Sequence, residues 1–152
     1  MAAQTTQNEN DITIEQSIDI DAPIRIAFEA LLDELGPLSE MPGGEPFPFK
    51  LEAWPGGRWY RDLGNNSGHF WGHVQVIKPP TLLEICGPMF MSYAAVNHLQ
   101  WRLKETDEGA RLTLIHRATG QISDEHREGV REGWSYGMNR VKEIAEGRRG
   151  DE

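Results

Sequence analysis

Histidine, thiol, carboxylate and guanidinium groups are the side chains that do chemistry, and their spacing in this chain leaves few candidates. His69 and His73 fall on one face of a strand, but four positions along a strand separate their Cα atoms by roughly 13 Å. Two ligands that far apart cannot share an ion held at about 2 Å from each. Their alternation with Phe70, Val74 and Val76 also points them outward. No metal site is expected, and no cofactor: nothing matches Gly-x-Ser-x-Gly, a phosphate-binding glycine loop or a dinucleotide fingerprint. The lone Cys86 reads as a small strand residue, excludes an internal disulfide and fits a reducing, cytoplasmic setting. Arg58 and Arg61 lie on opposite faces of one short strand, so at most one points inward, where it would favour a carboxylate-bearing ligand. That leaves His116. It is either a hydrogen-bonder or proton acceptor inside a cavity, or a core histidine satisfied by a neighbour.

The elements around His116 decide its face. Leu99, Trp101 and Leu103 alternate with polar residues, and Leu112 and Leu114 do the same beyond the turn Thr106-Asp107-Glu108-Gly109. That turn pairs Leu103 with Leu112, Trp101 with Leu114 and Leu99 with His116, and puts all six on one face. Opposite them the sequence places a helix over residues 123–147, with Val130, Trp134, Met138, Val141 and Ala145 on one side. Ser123 suits the N-cap, acidic residues crowd the start, Arg140, Lys142, Arg148 and Arg149 the end, and Gly147 suits a left-handed stop. Trp59, Leu99, Trp101, Leu114, His116, Val130, Trp134 and Met138 are thus the candidate lining of a cavity between sheet and helix; the same residues would serve as ordinary core. Gly129, Gly133 and Gly137 recur every fourth residue, each at about 1 kcal/mol below Ala in helix propensity. Either the backbone approaches the sheet closely there, or the missing side chains leave room for a ligand.

Upstream, Ile12, Ile14, Ile18 and Ile20 alternate with polar residues as a strand, with Gln16 a polar exception on the inward face. Asp21-Ala22-Pro23 opens a helix whose stripe is Ile24, Ala27, Phe28, Leu31, Leu32 and Leu35, ended by Gly36-Pro37. Residues 38–48 read as a Pro/Gly-rich connection, either a lip over a cavity or a surface loop. Strands follow over 49–54 and 58–63, joined at Pro55-Gly56-Gly57, then over 69–77, 82–86 and 97–105; residues 89–95 are ambiguous. The order gives an α+β domain over 11–147, a curved antiparallel sheet of six to seven strands packed on the terminal helix, with tails at 1–10 and 148–152.

At 152 residues and 38% hydrophobic, with five Trp, the chain supports one ordinary core. A net charge of −9 argues against nucleic acid or an anionic membrane surface as partner. No apolar run reaches membrane-spanning length, and the N-terminus lacks a basic segment followed by an apolar one.

The strand running into Ile20-Asp21-Ala22-Pro23, the Pro55-Gly56-Gly57 hairpin, the segment Val76-Ile77-Lys78-Pro79-Pro80-Thr81-Leu82-Leu83 and the helix positions Gly133, Trp134, Met138 and Val141 resemble the SRPBCC, or START-like, superfamily. The branch they are most similar to is the one related to the activator of the heat-shock-protein 90 ATPase. The resemblance implies a helix-grip fold with a cavity between a bent sheet and the C-terminal helix. It carries no shared catalytic motif, and superfamily members include lipid carriers, hormone binders, aromatase/cyclases and co-chaperone domains. Three functions are therefore expected in order: binding of a small, largely apolar molecule; protein interaction of the co-chaperone kind, through an outer face bearing Trp54 or Trp71, with a chaperone or a second copy as partner; and a cyclase or hydrolase using His116 with a nearby carboxylate.

Overall fold

The computed structural model describes residues 11–89 and 94–150. The 1–10 tail, part of the ambiguous 89–95 segment and the last two residues lie outside them. The chain forms β1 (Asp11–Ile20), α1 (Ile24–Glu34), β2 (Lys50–Leu51), β3 (Arg58–Gly64), β4 (Ser67–Lys78), β5 (Leu82–Gly87), β6 (Ala95–Thr106), β7 (Gly109–Gly120) and α2 (Asp124–Arg148). Seven strands form one antiparallel sheet in the order β1-β7-β6-β5-β4-β3-β2. This is the helix-grip α+β fold expected, and the strands follow from the period-2 alternation that buries one face.

The β6–β7 register is the one read from the turn: Leu99 opposes His116, Trp101 opposes Leu114 and Leu103 opposes Leu112. All six are buried. Gln16 on β1 faces α2 and grips it: its side chain donates to the Arg131 carbonyl (3.1 Å) and accepts from the Ser135 hydroxyl (3.3 Å).

Helix α2 starts as expected, with the Ser123 hydroxyl accepting from the His126 N–H at 3.1 Å. Its end is different. Gly147 is an ordinary helical residue, and Arg149 still has right-handed angles (φ −63°, ψ −16°). The last turn is held by tertiary ion pairs, Arg148 to Asp33 at 2.8 Å and Arg149 to Asp21 at 2.7 Å, so no left-handed cap is needed.

Two strand expectations are corrected. The strand placed at 49–54 shortens to Lys50–Leu51, because Glu52 turns to pair with Arg58 (2.6 Å) and the Gly56 N–H and Gly57 carbonyl bond to Val74 on β4. A side chain at Gly57 would collide with the Glu52 carbonyl, which fixes glycine there. On β4, Trp71 is not on the outward phase. Trp59 pairs with Gly72 and Tyr60 with Phe70, so Trp71 is the extra residue of a bulge and its ring turns inward onto Phe49 (4.5 Å) and Trp59 (5.1 Å). Trp54 is exposed.

Candidate functional site

The His116 side chain is fully buried and both ring nitrogens are used. The Trp134 Nε1–H donates to Nδ1 at 2.9 Å. Since an indole only donates, Nδ1 is the acceptor and Nε2 carries the proton, which it gives to Asn97 Oδ1 at 2.7 Å. The Asn97 amide in turn donates to the Gly87 and Pro88 carbonyls at 3.2 and 3.3 Å. Burial, with some repulsion from His126, holds the His116 imidazole down to about pKa 4, so the ring is neutral. His116 is thus a satisfied core histidine that orients Trp134.

Of the expected lining, Trp59, Val130 and Trp134 border one apolar cavity beside the first half of α2. Leu99, Trp101, Leu114, His116 and Met138 do not. They are buried core, where Trp101 packs edge-on against Trp134 at 5.9 Å, and Met138 instead borders a shallow surface depression with Gln16 and Ser135. The cavity lies to one side, between the first half of α2, the β3–β4 wall and the 38–48 connection, with a volume near 320 Å³. This is within the usual range for small-molecule sites.

Three walls build it, and the end of α1, with Glu34 and Leu35, closes it. The sheet supplies Trp59 and inverted Trp71, and Phe49, just before β2, joins them in a cluster of tilted and edge-on rings extended by Phe47 at 5.5 Å from Phe49. The 38–48 connection acts as a lip, contributing Ser39, Glu40, Met41, Pro42 and Phe47. It is pinned to α2, where Tyr136 donates to Glu40 (2.8 Å), Arg140 ion-pairs with Glu40 (3.0 Å) and Arg140 also donates to the Leu38 carbonyl (3.0 Å). The third wall is the glycine face of α2. At Gly129 and Gly133 an added Cβ would meet nothing within 4 Å, and at Gly137 it would touch only the Glu34 carboxyl at 3.5 Å. Close approach to the sheet is therefore not their reason. They leave space.

Glu34 is the buried carboxyl that borders the cavity opposite Gly137. It ends α1, is 8% exposed, and has no hydrogen-bond partner among the described residues. Burial pushes its carboxyl up to about pKa 8, against the pull of Arg140 and with a further push from Glu40. Its position continues the α1 stripe three residues after Leu31 and seven after Ala27, a carboxylate where the pattern asks for an apolar residue. That signal was available in the sequence, as was the Phe47-Pro48-Phe49 aromatic pair; the inward turn of Trp71 was not, because a bulge has no residue signature here. His126, in the first turn of α2, also borders the cavity and is lowered by burial.

The remaining candidates lie elsewhere. His69 and His73 are exposed on β4, the latter against Phe70 at 4.8 Å. Arg58 pairs with Glu52, and Arg61 stacks on the Phe47 ring at 3.7 Å. Among the described residues no group of three or more His, Cys, Asp or Glu is placed to hold a metal, and no helix is long and apolar enough to cross a membrane.

The fold recurs in solved structures of low sequence identity. A protein from Chromobacterium violaceum is 19% identical with a TM-score of 0.68, covering 89% of this chain and 98% of its own. The Zhui aromatase/cyclase of a Streptomyces species is 19% identical at a TM-score of 0.64, covering 91% and 95%. The di-domain ARO/CYC StfQ of the steffimycin biosynthetic pathway is 14% identical at 0.65, covering 95% of this chain and 52% of that longer one. No curated protein matches. Residues 21–146, nearly the whole described domain, match the family described as Activator of Hsp90 ATPase homolog 1-like protein, and the chain belongs to that family.

Proposed function

We propose that the protein binds a small, largely apolar molecule between the lip, the Trp59–Trp71 wall and the glycine face of α2. The observation that carries this reading is the open space over the exposed Gly129 and Gly133, on a cavity whose lining includes Phe47, Phe49, Trp59 and Trp71. Glycines in a helix interior each forgo about 1 kcal/mol of helix stability, and a surface that needs no space would not keep them. Two tests address it. Native mass spectrometry of freshly purified protein is expected to show an added mass that denaturing extraction removes. Nile red, a neutral dye, is expected to bind saturably and to be excluded by Gly133→Leu, which fills the cavity; unchanged dye binding in a folded Gly133→Leu protein counts against this site.

A second reading, a cyclase-type enzyme, is favoured by one observation: Glu34 is a neutral acid at pH 7 on a cavity wall. The chemistry would then run through Glu34 and not His116, whose nitrogens are both occupied. Turnover lost in Glu34→Gln and kept in a folded His116 variant would support it.

A further inference from the structure

The charge on the cavity wall narrows the ligand. Among the described lining residues are six aromatic rings, Phe47, Phe49, Trp59, Trp71, Trp134 and Tyr136, and two carboxyl groups, with no lysine or arginine. Glu40 is already matched by Arg140 at 3.0 Å. Glu34 is left buried without a hydrogen-bond partner, and it sits at the C-terminal end of α1, where the helix dipole disfavours a negative charge and favours a positive one beside it. The Trp59 indole reaches that same helix end, donating to the Leu35 carbonyl at 2.7 Å. Aromatic faces next to a desolvated carboxyl are the surroundings in which a cation is held by ring quadrupoles and an opposite charge together.

Resting on the binding reading above, we propose that the cavity takes an organic cation, a quaternary ammonium or protonated amine on an apolar body, with its positive centre against Glu34 and the indole faces. An anionic or phosphate-bearing ligand finds no lysine or arginine on this wall, and the one imidazole there, His126, is held toward its neutral form by burial. The charged groups that act on Glu34 are Arg140 from α2 and Glu40 from the lip; Tyr136 and His126 of α2 border the same cavity, and its neighbour Asp33 is engaged by Arg148. The Glu34 carboxyl, pushed up to about 8 mainly by burial, is protonated at neutral pH. Seating a cation draws the ionised form, so one proton passes from the carboxyl to the buffer as the complex forms.

Three isosteric probes separate the possibilities, each competed against Nile red: benzyltrimethylammonium, the neutral neopentylbenzene and the anionic benzylsulfonate. Benzyltrimethylammonium is expected to bind at least about tenfold more tightly than neopentylbenzene above pH 8. Its affinity should fall about tenfold per pH unit below that, with proton release visible as a buffer-dependent calorimetric heat. Neopentylbenzene should show no such dependence. Glu34→Gln should abolish the cation preference and the pH dependence while neopentylbenzene still binds, which a merely misfolded variant would not do. Equal or tighter binding of neopentylbenzene or of benzylsulfonate, or unchanged cation binding in Glu34→Gln, would overturn the inference and leave the apolar-binding reading standing. Absence of Nile red binding to the wild-type protein would overturn both.

Discussion

Trp134 is where the core and the cavity meet. Its ring borders the cavity, and its N–H ends a chain of hydrogen bonds through His116 and Asn97 to the carbonyls of Gly87 and Pro88. Each link is fixed by the one before it, since the indole only donates and so sets the imidazole tautomer. Replacing His116 by Leu would remove the acceptor of the Trp134 N–H and the ring N–H that donates to Asn97 Oδ1. An unsatisfied buried polar group costs about 1–3 kcal/mol, so His116→Leu is expected to lower unfolding free energy by about 2–4 kcal/mol in a denaturant titration. Nile red binding should weaken only modestly, because the ring lies behind the wall. A variant that kept its stability but lost binding would contradict this division and return His116 to the site.

Helix α2 serves two masters along its length. Val130, Met138, Val141 and Ala145 are buried against the sheet, as their spacing requires, while Gly129 and Gly133 give up helix propensity to keep space open. Since a Cβ at either position meets nothing within 4 Å, the double variant Gly129→Ala/Gly133→Ala is expected to be more stable by about 1–2 kcal/mol. The same two methyl groups should weaken Nile red binding, so the melting temperature and the dissociation constant rise together. A fall in stability would mean that the glycines are needed for packing after all. The stripe itself was plain in the sequence, but a repeat of small residues is the same whether the backbone meets a sheet or faces a void. The β6–β7 pairing was legible in full because a tight turn and strict alternation leave a single register. The cavity wall was not, since it depends on where Trp71 is inserted opposite β3 and on how residues 38–48 fold back, and both are settled by tertiary contacts. Hence Trp59, Val130 and Trp134 were named from the pattern, Phe49 and Glu34 were marked in the sequence without being read as lining, and the inward Trp71 came only with the fold.

At the scale of the whole molecule, two buried ionisable groups give stability an asymmetric dependence on pH. His116 is held down to about 4 in the folded chain against an ordinary 6.5, so the stability tied to its neutral form is complete above 6.5 and lost as pH falls toward 4. Glu34 is raised to about 8 from 4.5, so the stability tied to its protonated form is complete below 4.5 and lost as pH rises through 8. Between 4.5 and 6.5 the two trends oppose each other, and above 6.5 Glu34 acts alone. Glu52, held at about 2 by hydrogen bonds from Arg58, adds its effect on the acid side. The wild-type melting temperature is therefore expected to change little from pH 4.5 to 6.5 and to decline between 6.5 and 8. Glu34→Gln, neutral at every pH, should remove that decline, and its advantage over the wild type should grow with pH up to about 8. In His116→Leu the compensation is gone, so the decline should begin near pH 4.5. Differential scanning calorimetry of the three proteins across this range measures all of these trends. A wild-type profile that stays flat to pH 8.5, or a Glu34→Gln profile parallel to it, would show that the Glu34 carboxyl is ionised at neutral pH. A saturating cationic ligand should restore the lost alkaline stability in the wild type and have no such effect in Glu34→Gln, because ligand binding stabilises only the folded state that holds it.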